Sequence, residues 1–231
     1  AEELAAAAER DGRTALASGE SKWITGEAAR ADVQHWRARS AAVLTGIGTV
    51  LADDPALNVR GPGMPQRQPL RIVLDSRFQT PPTARLFGEA GPVQVLGVAA
   101  DAAAKLQQAL GGASPAAPAG ADSRDAQRVV GCVEADANGR VDLPALLQRL
   151  GAEQINELHV EAGATLSGAF IAAGLADELL LYLAPSLLGS DARPLAALPT
   201  LARLADRPRF RIHSTAQLGD DLRLCLRPQK D

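Results

Sequence analysis

A run of small residues, Gly163-Ala164-Thr165-Leu166-Ser167-Gly168-Ala169, follows a strand-like apolar segment and opens a helical one. Backbone N–H groups at such a helix start suit a pyrophosphate. The glycines would let it approach the main chain, and Thr165 and Ser167 would add hydroxyl donors. An ordinary strand–turn–helix connection has the same spacing, so the pattern alone leaves both readings open. Glu161 directly precedes the turn. A carboxylate ending a buried strand is costly without a partner, and it needs either a ligand or an N–H donor such as the next helix. A second glycine pair, Gly46-Ile47-Gly48, also follows a strand but lacks the third glycine of a dinucleotide fingerprint. Ser76-Arg77 sits where another strand ends, the place where ligands of α/β sheets collect. A solvated surface arginine is the competing reading of Arg77. Trp23 lies beside Gly19-Glu20-Ser21-Lys22, a polar loop from which an indole could stack on a flat ring; core packing is the alternative.

These residues need elements to hold them. Ala28 to Arg39 repeats Ala29, Val33 and Trp36 at helical spacing, which predicts a helix on whose polar face Arg37 would be one more exposed cation. Ala42 to Leu44 predicts a strand, and Asp53-Asp54-Pro55 stops the helical turn that follows it. Leu70 to Leu74, Val93 to Val98 and Val129 to Val133 read as further strands, with a helix over Asp101 to Leu110. From Gly111 to Asp125 the composition shifts to Gly, Ala, Pro and Ser, a surface loop. A helix over Leu143 to Leu150, a strand over Glu157 to Glu161, a helix over Thr165 to Ala173 and a strand over Glu178 to Ala184 continue the alternation. Phe210 to Ala216 and Leu222 to Leu226, joined by Leu218-Gly219-Asp220-Asp221, predict an antiparallel hairpin. The series argues for an α/β fold with a mixed sheet, parallel in the middle and antiparallel at one edge.

Bulk properties narrow the function. The 231 residues carry a net charge of −3, too mild for a nucleic-acid or membrane footprint, so a phosphorylated ligand would have to be held by local arginines. Cys132 and Cys225 stand far apart in apolar runs and read as buried reduced thiols, with no metal-binding spacing. No cationic segment followed by an apolar one opens the sequence, and no apolar run reaches spanning length; a cytoplasmic enzyme is expected.

The stretch from Asp11 to Arg60, LRIVLDSR at Leu70 to Arg77, and INELHVEAGATLSGAFIAAGLADELLLYLAPSLLGSDAR at Ile155 to Arg193 resemble the pyrimidine reductase family of riboflavin biosynthesis. The resemblance continues to the C-terminus. It implies a dihydrofolate-reductase-like three-layer α/β fold over residues 1–231 as one reductase domain, a homodimer, and NADPH as cofactor. It also implies a phosphorylated pyrimidine substrate, 5-amino-6-(5-phosphoribosylamino)uracil, reduced at C1′ of the opened ribose. By the same resemblance Ser21, Arg37, Leu57, Arg60 and Glu161 contact substrate. Ala7, Trp23, Thr49, Asp53, Ser76 and the turn from Gly163 through Ala164, Thr165, Leu166, Ser167 and Gly168 to Ala169 contact cofactor. Arginine suits a phosphate dianion because a guanidinium donates two parallel hydrogen bonds. No side chain is read as the proton donor; water or substrate hydroxyls would serve. In the family a deaminase domain often precedes the reductase. Its zinc signature does not occur here, where three histidines and two cysteines are scattered, so only the reduction half is expected.

One region departs from the family. Its first strand reads Lys-x-Ala-x-Ser-x-Asp-Gly, and the matching positions here hold Ala5, Ala7, Glu9 and Asp11. The lysine and serine are replaced, and the local sequence AEELAAAAER has strong helix propensity. Local preference favours a helix; the family's sheet requires a strand. The altered strand raises one rival, a cofactor-binding homologue with weak or no turnover; a second, independent of it, is a reductase of the same fold acting on another pyrimidine or a pterin.

Overall fold

The computed structural model describes the backbone of residues 2–9 and all of residues 12–20, 24–65, 67–111 and 128–229. In chain order the elements are β1 (Glu2–Glu9), β2 (Arg13–Ala15), α1 (Glu27–Arg39), β3 (Ala42–Gly46), α2 (Ile47–Asp53), β4 (Leu70–Leu74) and β5 (Val93–Gly97). There follow α3 (Ala100–Gly111), β6 (Arg128–Cys132), α4 (Leu143–Ala152), β7 (Leu158–Glu161), α5 (Ala164–Ala172) and β8 (Glu178–Ala184). The series closes with β9 (Arg193–Pro194), β10 (Phe210–Leu218) and β11 (Asp221–Pro228). They fall into two units: His35–Leu158, and Ala1–Gln34 with His159–Asp231.

In the His35–Leu158 unit, β3, β4, β5 and β6 lie side by side in that order, every pair parallel. Val43, Leu44, Ile72, Val73, Val95 and Leu96 are buried, as the continuous apolar runs of these strands require when both sheet faces are covered. Val73, Val95, Phe78, Leu86, Phe87, Leu106 and Leu110 form a shared core, mostly aliphatic in a chain with 3% aromatic residues. α4 starts where Asp142 accepts a hydrogen bond from the Ala145 amide at 2.9 Å, a side-chain cap followed by Pro144 in the first turn.

In the other unit, β8 runs parallel to β1 and antiparallel to β11, and β11 pairs antiparallel with β10 through the expected turn at Leu218 to Asp221. β1 is the informative strand. Its residues favour helix by a few tenths of a kcal/mol each, roughly, and a full ladder against β8, from Glu3 opposite Glu178 to Glu9 opposite Ala184, overrides that preference. The short β2–β9 pair is invisible to pattern because two- and three-residue strands carry no period.

Two expectations are corrected. Cys132 is exposed at the end of β6, where the strand leaves the core; only Cys225 is buried. Arg37 is buried rather than a solvated helix cation. The Gly/Ala/Pro/Ser segment beyond Gly111 lies outside the described residues up to 127. Among the described residues no helix is long and apolar enough to cross a membrane.

Candidate active site

The first cluster belongs to the His35–Leu158 unit and starts where α2 stops. Asp54 takes a left-handed conformation (φ 41°) and its amide bonds back to the Val50 carbonyl at 3.1 Å, so the chain turns sharply into Pro55. Leu57 is left-handed too (φ 53°), which costs about 1–2 kcal/mol for a residue with a Cβ. Its side chain is buried, and that burial offsets the strain. The next three residues are pinned by side chains. Gln68 pairs with Val59 as a strand would: Oε1 accepts from the Val59 amide at 2.7 Å, and Nε2 donates to its carbonyl at 3.0 Å. Asn58 is the junction. Its carbonyl accepts from Arg37 Nη1 at 3.1 Å, its Oδ1 accepts from Arg60 Nη1 at 3.0 Å, and its Nδ2 donates to Glu89 Oε2 at 2.9 Å. Arg37 and Arg60, distant in sequence, therefore meet at one residue. Arg37 comes from the last turn of α1, half of a basic pair with Arg39; Arg60 is exposed.

Beneath this loop lies a residue that pattern reading passed over. Arg71 in β4 has no exposed surface. Its Nη1 donates to the carbonyls of Ala56 (3.3 Å) and Leu86 (2.8 Å), and its Nη2 to those of Glu89 (3.2 Å), Ala90 (2.8 Å) and Gly91 (2.6 Å). Burial pushes its pKa down to about 10, against the opposing pull of Glu89. It remains a cation at neutral pH. One guanidinium thus ties the start of the arginine loop to the Leu86–Gly91 segment that presents Glu89.

Two further predicted positions sit on α2. Thr49 is half-buried and Asp53 exposed, one helical turn apart and so on one face. Ser76 follows β4 in a turn held by Asp75, whose buried carboxylate accepts from the Arg77 amide (3.3 Å), the Thr80 amide (2.7 Å) and the Thr80 hydroxyl (2.7 Å). Gly97, at the end of β5, lets that strand approach this turn: a Cβ there would stand 2.1 Å from the Asp75 carbonyl oxygen. Ser76 is half-buried and Arg77 exposed.

The second cluster belongs to the other unit. β7 ends at Glu161, and Gly163 is the N-cap of α5, in extended conformation (φ −70°, ψ 170°) and without a side-chain cap. The first N–H groups of a helix have no partner within it, so this end suits an anion. Glu161 Oε1 lies 3.2 Å from Nε2 of His159, which is fully buried. Ser167 differs from expectation: it is buried, and its hydroxyl donates to the Ala162 carbonyl at 3.0 Å, closing the turn. Gly168 has a packing reason for lacking a side chain, because a Cβ would stand 2.2 Å from the Ala197 carbonyl oxygen. The Ala197 amide donates to the Ala164 carbonyl at 2.9 Å, so this neighbouring segment braces the turn. Thr165 and Ala169 are exposed, Ala164 and Leu166 half-buried. The turn's residues therefore divide between those buried in building it and those left exposed or half-buried. Ser21 and Trp23 lie outside the described residues, as do Asp11, Lys22 and the side chain of Ala7, whose backbone sits in β1 opposite Tyr182.

Sequence reasoning missed Asn58, Gln68, Arg71 and Glu89. A signal existed for Arg71: a charge inside the apolar strand Leu70–Leu74 must be buried with partners. None existed for Asn58, whose role depends on contacts with Arg37 and Glu89, both distant in sequence.

A parallel α/β unit with an arginine-bearing loop, joined in sequence to a mixed sheet with a glycine turn opening a helix, defines a dihydrofolate-reductase-like α/β protein. Residues 4–224 match the RibD C-terminal domain model. The riboflavin biosynthesis protein RibD of Escherichia coli (strain K12) is 43% identical over 236 residues, covering 97% of this chain and 59% of that protein. The 5-amino-6-(5-phosphoribosylamino)uracil reductase of Buchnera aphidicola subsp. Acyrthosiphon pisum is 30% identical over 226 residues, covering 93% of this chain and 100% of that protein. Among solved structures, Acinetobacter baumannii RibD, form 1, superposes with a TM-score of 0.81 at 40% identity, over 99% of this chain and 58% of that one. The chain belongs to the RibD C-terminal domain family. It spans 59% of the E. coli relative's length and 58% of the Acinetobacter one.

Proposed function

We propose that residues 1–231 form an NADPH-dependent reductase domain. It would convert 5-amino-6-(5-phosphoribosylamino)uracil to its ribitylamino counterpart in riboflavin biosynthesis, as a cytoplasmic homodimer. Family membership supports the reaction class, and a relative that this chain matches over its full length is named for that reductase. The observation that carries the reading is the meeting of Arg37 and Arg60 on Asn58, in a loop tied down by a buried arginine. Two cations brought together on one neutral residue suit a phosphate dianion, and the charge-assisted, bidentate bonds arginine makes to phosphate are strong and specific.

In the His35–Leu158 unit, Arg37 and Arg60 would hold the substrate phosphate, and Leu57 would set the backbone between them. Thr49, Asp53 and Ser76 would contact cofactor, with Arg77 beside Ser76 favouring a 2′-phosphate and hence NADPH over NADH. In the other unit, Gly163, Ala164, Thr165, Leu166 and Ala169 would receive the cofactor's pyrophosphate, with Ser167 and Gly168 shaping the turn. Ala7 and Trp23 complete the proposed cofactor contacts. Glu161, with Ser21, would accept from the amino or imide N–H of the pyrimidine. A bound NADPH supplies the hydride. These residues bind, orient and exclude water, which is the protein's share of a hydride transfer. The proton that completes the reduction at C1′ would come from water or a substrate hydroxyl.

The test follows loss of reduced-nicotinamide absorbance with the phosphorylated substrate, with NADPH and NADH in parallel. Turnover with NADPH is the expected result. Cofactor binding without oxidation would sink the reading in favour of a non-catalytic homologue. For the arginines, Arg60→Ala should raise KM for phosphorylated substrate about tenfold or more, given the strength of charge-assisted bonds, and leave the NADPH Kd nearly unchanged. Equal losses in both would count against the phosphate role.

A further inference from the structure

Asn58 carries neither charge nor reactivity, yet it touches both arginines and a carboxylate. The bonding chemistry fixes its amide without ambiguity. An ionised carboxylate only accepts, so Glu89 Oε2 must face the NH2 group; a guanidinium only donates, so Arg60 must face Oδ1. Glu89 is itself held, since its carbonyl accepts from buried Arg71 at 3.2 Å. A relay therefore runs from the core through Glu89 and Asn58 to Arg60, while the Asn58 carbonyl fixes Arg37.

We infer that Asn58 is a positioning residue that sets the phosphate specificity of the site by orienting Arg37 and Arg60 without itself neutralising them. The inference rests on the proposed phosphate role of those arginines. A neutral acceptor is the essential feature. Direct pairing of Arg60 with Glu89 would place a carboxylate where the ligand's charge is needed, and the pair's net charge would be zero. The amide instead takes up the carboxylate on its donor side and offers the guanidinium an uncharged oxygen, so that this contact leaves the cation's field for an incoming anion.

The experiment compares wild type, Asn58→Ala, Asn58→Asp, the double variant combining Asn58→Asp with Glu89→Gln, and Arg60→Ala. For each, kcat and KM are measured with phosphorylated substrate and with its dephosphorylated counterpart, along with NADPH Kd and Tm. Asn58→Ala should raise KM for phosphorylated substrate about tenfold, with kcat within about twofold and NADPH Kd unchanged, since one oriented bond to a charged group is lost. The preference for phosphorylated over dephosphorylated substrate should fall by a similar factor. Asn58→Asp should lose at least as much, because its carboxylate neutralises Arg60 and repels Glu89. The double variant separates positioning from scaffolding. The amide introduced at position 89 can donate to the carboxylate introduced at position 58, restoring the bond between the two positions and most of Tm; the loss of the exposed Arg85–Glu89 pair (3.6 Å) costs little. The charged acceptor on Arg60 remains, so phosphate preference should stay lost. Phosphate preference recovering together with Tm would overturn the inference and make Asn58 a folding residue. Asn58 variants that keep the preference while Arg60→Ala loses it would also overturn the inference but leave the phosphate reading standing. If Arg60→Ala itself keeps the preference, the phosphate reading falls and takes this inference with it.

Discussion

The two clusters proposed to meet phosphate groups are built from different materials. In the His35–Leu158 unit the Ala56–Arg60 loop is held by side chains, with Gln68 on Val59, Arg71 on Ala56, and Glu89 and Arg37 on Asn58. In the other unit the Ala162–Ala169 turn is held mainly by main chain. Gly163 caps α5, the Ala197 amide bonds to Ala164, and the backbone around Ala197 fills the space a side chain at Gly168 would need. A loop assembled from side chains can be loosened by substitutions far from it in sequence. A turn assembled from main chain resists most substitutions and fails when a Cβ is added in the wrong place.

The largest effect should come from Arg71→Ala. It strips donors from the carbonyls of Ala56, Leu86, Glu89, Ala90 and Gly91. Water entering the cavity would recover part of the loss, leaving about 3–5 kcal/mol of destabilisation. Urea unfolding measures it, and a loss under about 1 kcal/mol would show that the loop does not depend on this side chain. Arg71→Lys should retain part of the stability, with fewer donors and the wrong fork geometry. The pH dependence has a definite sign. Burial lowers the pKa of Arg71 to about 10, below the ordinary range of a guanidinium, so the unfolded chain binds more protons above that value. There this group's contribution makes stability rise with pH; below about pH 9 both states are protonated and it contributes no slope. A steep Arg71-dependent slope near neutrality would contradict that assignment.

Gly168→Ala is the matching break in the other unit. The new Cβ would stand 2.2 Å from the Ala197 oxygen and 2.7 Å from its carbonyl carbon, both backbone atoms. Separating the two segments should cost about 1–3 kcal/mol, in the range of core overpacking, and weaken NADPH binding. Preference for phosphorylated over dephosphorylated substrate should be unaffected, whereas Asn58→Ala should show the reverse profile. Matching profiles from the two variants would dissolve the distinction between the clusters.

The same contrast explains what was legible in the sequence. β4, β8, the C-terminal hairpin and the α5 turn are readable because each follows from local period, turn chemistry or a glycine at a strand end. β1 is not, since AEELAAAA prefers helix and it is sheet pairing, including the ladder with β8, that makes it a strand. Arg37 reads as exposed because helical spacing tells which face a residue occupies, not whether another segment covers that face. Ser167 looks like a ligand donor, but hydroxyls commonly bond a nearby carbonyl, as it does to Ala162. The main-chain turn advertises itself through its glycines. The side-chain loop announces its arginines only through family resemblance, and Asn58, Gln68 and Glu89 stay hidden because their roles depend on long-range pairing.

The smallest expected effect tests how far the turn is backbone-built. Ser167→Ala removes one buried hydroxyl and its bond to the Ala162 carbonyl, leaving the helix bond from the residue 167 amide to the Gly163 carbonyl (3.2 Å) in place. The main chain should keep its path, so stability should fall by about 1 kcal/mol, the net worth of one such bond. NADPH Kd should rise no more than severalfold, and KM for the pyrimidine should not move. Isothermal titration with NADPH gives the answer. A loss of a hundredfold or more would mean that the hydroxyl, not the main chain, fixes the turn, and that this cluster is as dependent on a single side chain as the arginine loop.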